Sequence, residues 1–409
     1  MQHRYPCGGM GRRRFLGASA AVPIISAFAG SGQAQELGKT AHHGPAVAAS
    51  AKVGAPGPYP GKVVEAKNPL MIKNGVRSTD AIKATMDLGI KELTGATDPV
   101  EGWKHFFEPG DVVGIKVVPN GAPEAHSSFE IVLEVIEKLK TVGIKTTDIF
   151  VYDRYRGEFM GAGYHKILPS GVRWGGLDPD GDQFRLDFPS FAKDPIAGFD
   201  HDAFVWMDLI PYGDDPKDDR KFRSHLGRLV TQTVNKIVAI PVLKDHGSAG
   251  VTGCLKNMSH GTVNNVARSH SNTYTNVCNQ FIPQMVSHPI IRQKFVLQIM
   301  DGIRGVYHGG PFSREKGKWT WENNSIFFAT DPVALDHVEW DIVDAQRLKN
   351  NLPPVAASGS KALDPLKMEG FDVRQPQHIP LAGALGLGNF DLKSARGRRF
   401  SIQHKIVSV

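Results

Sequence analysis

The chain has 409 residues, 41% hydrophobic and 22% charged, with a formal net charge of +7. That is the make-up of an ordinary globular protein, long enough for a large core in one α/β domain or two lobes. Residues 1–34 hold four arginines and no acid, so the remainder carries only +3, which gives no reason to expect a nucleic-acid or anionic-membrane partner.

Taken in order, Arg12-Arg13-Arg14-Phe15-Leu16 opens an apolar segment running to Ala29. The pattern predicts a twin-arginine signal over residues 1–34, with small-residue cleavage sites at Ala27-Phe28-Ala29 and Gly32-Gln33-Ala34. The apolar segment is too short to span a bilayer, so the expectation is export to the periplasm by the twin-arginine machinery, with no stable membrane anchor after cleavage. Residues 35–60 are rich in Ala, Gly and Pro without periodicity and read as a flexible arm. Residues 61–409 read as a single α/β domain.

Within it, Ser78 and Gly95 bracket a predicted helix over Thr79–Leu93. The apolar run Asp111–Val118, carrying Lys116, reads as a strand. A capping box at Ser127-Ser128-Phe129-Glu130 then opens a helix that ends at Gly143, and a second strand begins at Ile149. This βαβ order predicts a mixed, largely parallel sheet flanked by helices. Asp178-Pro179-Asp180-Gly181-Asp182 is a turn, because the glycine and Pro189 fall at the wrong positions for a calcium-binding EF-hand. Further strands are expected at Lys294–Met300, Ser325–Ala329 and Phe400–Val409. A helix from Pro332 to about Leu348 is expected behind a Thr330 or Asp331 cap, and a short one at Ile379–Leu385.

The most informative stretch is Lys236–Gly261, KIVAIPVLKDHGSAGVTGCLKNMSHG. A buried strand ends at Pro241, and Lys244, Asp245 and His246 lead into a loop containing Gly247, Gly250 and Gly253, where glycine permits positive φ and close backbone approach. Lys256 and Asn257 follow. After the signal, only Cys254 and Cys278 remain, open to pairing, burial or ligation; without a Cys-x-x-Cys, no iron–sulfur cluster or zinc ribbon is expected.

These landmarks together resemble the domain of unknown function 362 family. The matching pieces are Val113-Gly114-Ile115-Lys116 with Pro119-Asn120, and Pro241-Val242-Leu243-Lys244 with His246. Gly250-Val251-Thr252-Gly253 running into Leu255-Lys256-Asn257, Asp301-Gly302, Asp331–Asp336 and Gly386-Leu387-Gly388 complete the set. The resemblance spans roughly residues 110–390. It brings no established reaction, and the cluster-binding cysteines of longer relatives are absent.

Ligands of open parallel sheets bind beyond the carboxyl ends of the strands. Lys116 and Asn120, Asp153 and Arg154, Lys244 and His246, Asp301 and Asp331 all follow strands, so the expectation is one shared rim suited to a small carboxylate or phosphate. Lys244 and His246 are the expected catalytic pair, and Lys116, Asn120, Lys256 and Asn257 the expected substrate-binding set. His246 with Asp301 would ligate a divalent metal if the chemistry is metal-assisted. The alternative is a non-catalytic exported protein using the same pocket to hold a ligand or cofactor. No Walker loop, His-Glu-x-x-His or Gly-x-Ser-x-Gly occurs, which argues against nucleotidase, protease and serine-hydrolase activity.

Overall fold

Short apolar runs of period two, alternating with amphipathic stretches of period 3.6, resolve into strands and helices in a computed structural model. It describes residues 54–207, 217, 219–269, 278–312, 317–357, 376–391 and 401–409. The twin-arginine segment and most of the arm lie outside the described residues. The residues described fall in one compact unit, His42–Val409.

The first half runs β1 (Lys62–Lys67), a small hairpin of β2 (Ile72–Lys73) and β3 (Val76–Arg77), α1 (Thr79–Thr94), α2 (Pro99–Lys104) and β4 (Val113–Lys116). It continues through α3 (Phe129–Thr141), β5 (Ile149–Tyr155), α4 (Arg156–Ala162), β6 (Arg173–Asp178) and a separate ribbon of β7 (Phe199–Trp206) with β8 (Arg223–Gly227). The second half begins with β9 (Lys236–Ala239), β10 (Val242–His246), β11 (Gly250–Val251), α5 (Gly253–His260), α6 (Cys278–Ser287) and α7 (Pro289–Lys294). It closes with β12 (Phe295–Val306), β13 (Thr320–Ala329), α8 (Pro332–Lys349), α9 (His378–Ala384) and β14 (Gln403–Ser408).

Among the described residues, the main sheet has ten strands in the order β14-β1-β13-β12-β9-β4-β5-β6, with β10 on β12 and β11 on β10. β4, β5, β6, β9, β10 and β12 all run the same way, whereas β13 is antiparallel to β12 and to β1. The strands alternate as period two requires. Ile237 and Ala239 of β9 pack on one face with α5, α6 and α8, while Val238 and Ile240 pack on the other with α1 and α3. Burial on both faces makes this a three-layer α/β fold.

Four expectations need correcting. The last part of the expected arm, residues 54–60, is docked rather than loose. Ala55 is buried and donates its amide to Arg292, while Thr330 Oγ1 donates to the Pro56 carbonyl. The capping box does not form at α3, because Ser127 Oγ donates instead to the Ile240 carbonyl and Ser128 to Asp301 Oδ2. The carboxylate of Asp301 caps the helix from across the sheet. The expected glycine loop is mostly regular structure, since β10 carries Lys244 to His246, β11 pairs back on it, and α5 carries Lys256 and Asn257. Finally, Asp331 lies at the opposite rim from Lys116 because β13, which leads to it, runs against the parallel strands.

Candidate functional site

Lys116 is the last residue of β4, with Val113 and Ile115 facing α1 and α3 and Lys116 turned towards α5. Gly261, just beyond α5, lets it pass, since a Cβ there would stand 2.1 Å from Lys116 Cε. Lys116 Nζ donates to Asp153 Oδ1 at 2.6 Å, Asn257 Oδ1 at 2.9 Å and the Val117 carbonyl at 2.6 Å. All three ammonium donors are thereby used.

Lys244 is fully buried on β10, and its Nζ donates twice to one residue, to Asn120 Oδ1 at 2.6 Å and the Asn120 carbonyl at 2.9 Å. Burial, then the neighbouring Lys256, brings its pKa down to about 7. Lys256 is 9% exposed, and its Nζ has no hydrogen-bond partner among the described residues. Burial lowers its pKa to about 8; Arg154 and Lys116 push the same way, and Cys278 and Glu158 oppose. Beside it, Asn257 Nδ2 is a buried donor without an acceptor among the described residues. Arg154, stacked 4.2 Å from the Tyr155 ring centroid, gives Nη2 to Gln183, and its Nε has no such partner either.

The glycines before α5 serve a buried lock. Gly253 has φ of +54° and a Cβ there would meet Asp336 Oδ1 at 2.3 Å, so only glycine fits. Asp336 accepts the amides of Cys254 and Leu255, and Glu339 accepts the Lys244 amide at 2.9 Å. Both carboxyls belong to α8, and burial raises both, Asp336 to about 7. These two carboxylates of α8 tie β10 and the start of α5 to one helix, through the Lys244 amide and the amides just before Lys256.

Lys116, Asp153 and Asn257 are therefore joined by hydrogen bonds at the end of β4, and Lys244 and Asn120 form a second pair at β10. His246 and Asp301 have other engagements. His246 Nδ1 accepts the amides of Ser248 and Ala249, holding the β10–β11 turn. Asp301 accepts the Ser128 amide at 2.7 Å and the Ile303 amide at 3.1 Å. Among the described residues, no group of three or more His, Cys, Asp or Glu is gathered as a metal site. Cys254 and Cys278 are free, buried thiols.

Three further residues were not singled out from sequence. Glu158, on α4, is half-buried, and burial with Asp153 raises its pKa against the pull of Lys116 and Lys244. His378, on α9, is buried with neither ring nitrogen partnered among the described residues, and burial followed by Lys256 lowers it to about 3. His126 is also buried without partners there, edge-on to Phe129 and Tyr164, and burial lowers it to about 4. Only Glu158 had a legible signal, standing in the first turn of the helix that follows the strand carrying Asp153 and Arg154.

Residues 195–341 match the family described as Domain of unknown function (DUF362). The matched segment covers about a third of the chain. The DUF362 segment contains Lys244, Lys256, Asn257, Asp336 and Glu339, whereas Lys116, Asn120 and Asp153 come from the preceding sequence. No curated protein matches the chain. Among solved structures, a Thermotoga maritima protein is similar over 57% of this chain and 52% of its own, about half its length, with 12% identity and a TM-score of 0.32.

Proposed function

We propose that this DUF362 protein binds a small carboxylate or phosphate at the strand-end cluster and acts on it as an enzyme. One observation carries the reading, namely that the buried Asn257 Nδ2 has no acceptor, beside a nine-tenths buried Lys256 for which no hydrogen bond is formed among the described residues. Burying an unpartnered cation is costly, and a bound anion would relieve that cost. Asn257 Nδ2 supplies a second open donor for the same anion. Lys116, saturated by Asp153 and Asn257, positions Asn257, and Asn120 positions Lys244. Lys244, brought to about 7, and Glu158, whose pKa burial raises, are the acid–base groups.

The test is isothermal titration of the folded protein at pH 7 with acetate and with inorganic phosphate, on the wild type and on Lys256→Met. Binding to the wild type and its loss in the variant support the reading. A folded wild type that binds neither, or a variant that binds equally well, rejects it. We further infer export by the twin-arginine route to the periplasm, from Arg12-Arg13-Arg14-Phe15-Leu16. Normal export of an Arg12→Lys, Arg13→Lys double variant would refute it.

A further inference from the structure

The two edges of the main sheet are finished differently. At one end β6 is covered, since the Leu177 carbonyl accepts the Gly198 amide and a Cβ on Gly175 would stand 3.3 Å from Arg156 Nη1. At the other end β14 has β1 on one side and no strand on the other among the described residues. The amides of Gln403 and Val409 donate to the Gly61 and Lys67 carbonyls, which fixes the parity of the strand. Gln403, Lys405, Val407 and Val409 turn their backbone groups to β1. His404, Ile406 and Ser408 turn theirs outwards, with no backbone partner among the described residues. Sheet edges are ordinarily blunted by free charge, proline or a bulge. Strand β14 has neither proline nor bulge, and its two basic side chains are engaged within the chain, His404 by Glu65 and Lys405 by Glu92. Ile406 is left 53% exposed.

We propose that β14 pairs antiparallel with β14 of a second copy of this chain, joining the two sheets across a two-fold axis at Ile406. In that register Ile406 faces Ile406 of the copy, His404 faces Ser408, and Lys405 faces Val407. Each facing pair among the outward residues exchanges two hydrogen bonds, so every outward amide and carbonyl of the strand finds a partner. No like charges stand opposite one another, because Lys405 meets an apolar residue and keeps its own Glu92. The two exposed isoleucines become a cross-strand apolar pair on one face of the joined sheet. A two-fold contact requires a patch that complements itself, and β14 does so in hydrogen bonding, charge and apolar contact at once. That fit selects a second copy over a foreign chain.

The experiment is light scattering of the full chain over a range of concentrations, with twice the monomer mass expected at the upper end. Ile406→Pro removes an outward amide and spares the ladder to β1, so it should return the chain to a monomer with Tm unchanged. A wild type that stays monomeric at every concentration overturns the proposal and leaves the edge to a foreign extended chain. A dimer that survives in folded Ile406→Pro overturns it as well. A second variant, Ile406→Cys in a chain carrying Cys7→Ser, tests the register without proline. Facing residues of a hydrogen-bonded antiparallel pair lie about 5.5 Å apart at Cα, within reach of a disulfide. Mild oxidation should link two copies through position 406 and leave Lys405→Cys, which faces Val407, unlinked. Linkage at neither position, or equally at both, overturns the pairing.

Discussion

Replacing Lys256 with methionine should stabilise the protein at neutral pH while abolishing anion binding. The residue is nine-tenths buried, and its pKa is brought from 10.5 to about 8. At roughly 1.4 kcal/mol per tenfold, holding that proton in the fold costs about 3 kcal/mol. Methionine has nearly the same length and no charge, so the variant keeps the packing and sheds the cost. The sign follows from proton counting. Between pH 8 and 10.5 the unfolded chain holds more protons at this lysine than the fold does, so wild-type stability rises with pH across that window. Below it, lysine is charged in both states and the penalty is at its maximum. Urea unfolding at pH 7 should place the variant about 3 kcal/mol above the wild type, roughly 4 °C in Tm for a domain of this size. The gap should close as pH climbs towards 10.5. A variant less stable than the wild type, or a gap that stays constant between pH 7 and 10, would refute the electrostatic argument.

Anion binding should draw in protons, because Lys256 is half neutral and Lys244 mostly neutral at pH 8. Titration in buffers of different ionisation heat should show uptake on the order of one proton, with affinity falling above that pH; zero uptake would contradict the assignment. Asp331→Ala should cost about 3–4 kcal/mol by urea unfolding, since it orphans three buried amide donors and a fourth half-buried one. Those donors are Val333 and Ala334 on one oxygen and Gly61 and Asn389 on the other. Asp153→Asn should strip Lys116 of its buried counter-charge and destabilise by about 3 kcal/mol, measured in the same assay. Because both cysteines are free, reductant should leave Tm unchanged.

What the sequence made legible was local. Helix α1 was readable because its ends are chemical, with Ser78 accepting the Ala81 amide and Gly95 in the left-handed region at φ of +78°. Helix α8 was readable for the same reason, through Asp331 and Pro332. The βαβ unit followed from periodicity and gave the shared rim. What stayed hidden was partnership over distance. Lys116, Lys244 and Lys256 look equivalent in sequence, yet their roles divide according to Asp153, 37 residues from Lys116, and Asn120, 124 residues from Lys244. The α3 capping box was misread because the local competitor, Glu130, lost to Asp301, 173 residues away from Ser128. Nothing around His378 announced that it would sit beside Lys256.

The position of β1 has a consequence for the order in which the molecule assembles. Its Glu65 is gripped by Ser325, 260 residues away, and by His404, 339 residues away. Loop closure over such spans must precede any reward from the contacts, so this side of the sheet joins late and slowly. The parallel strands β4 to β6 close over short loops and need not wait. During synthesis, β1 would therefore spend a long interval as an unpaired strand, a hazard for mispairing that the early-folding half does not share.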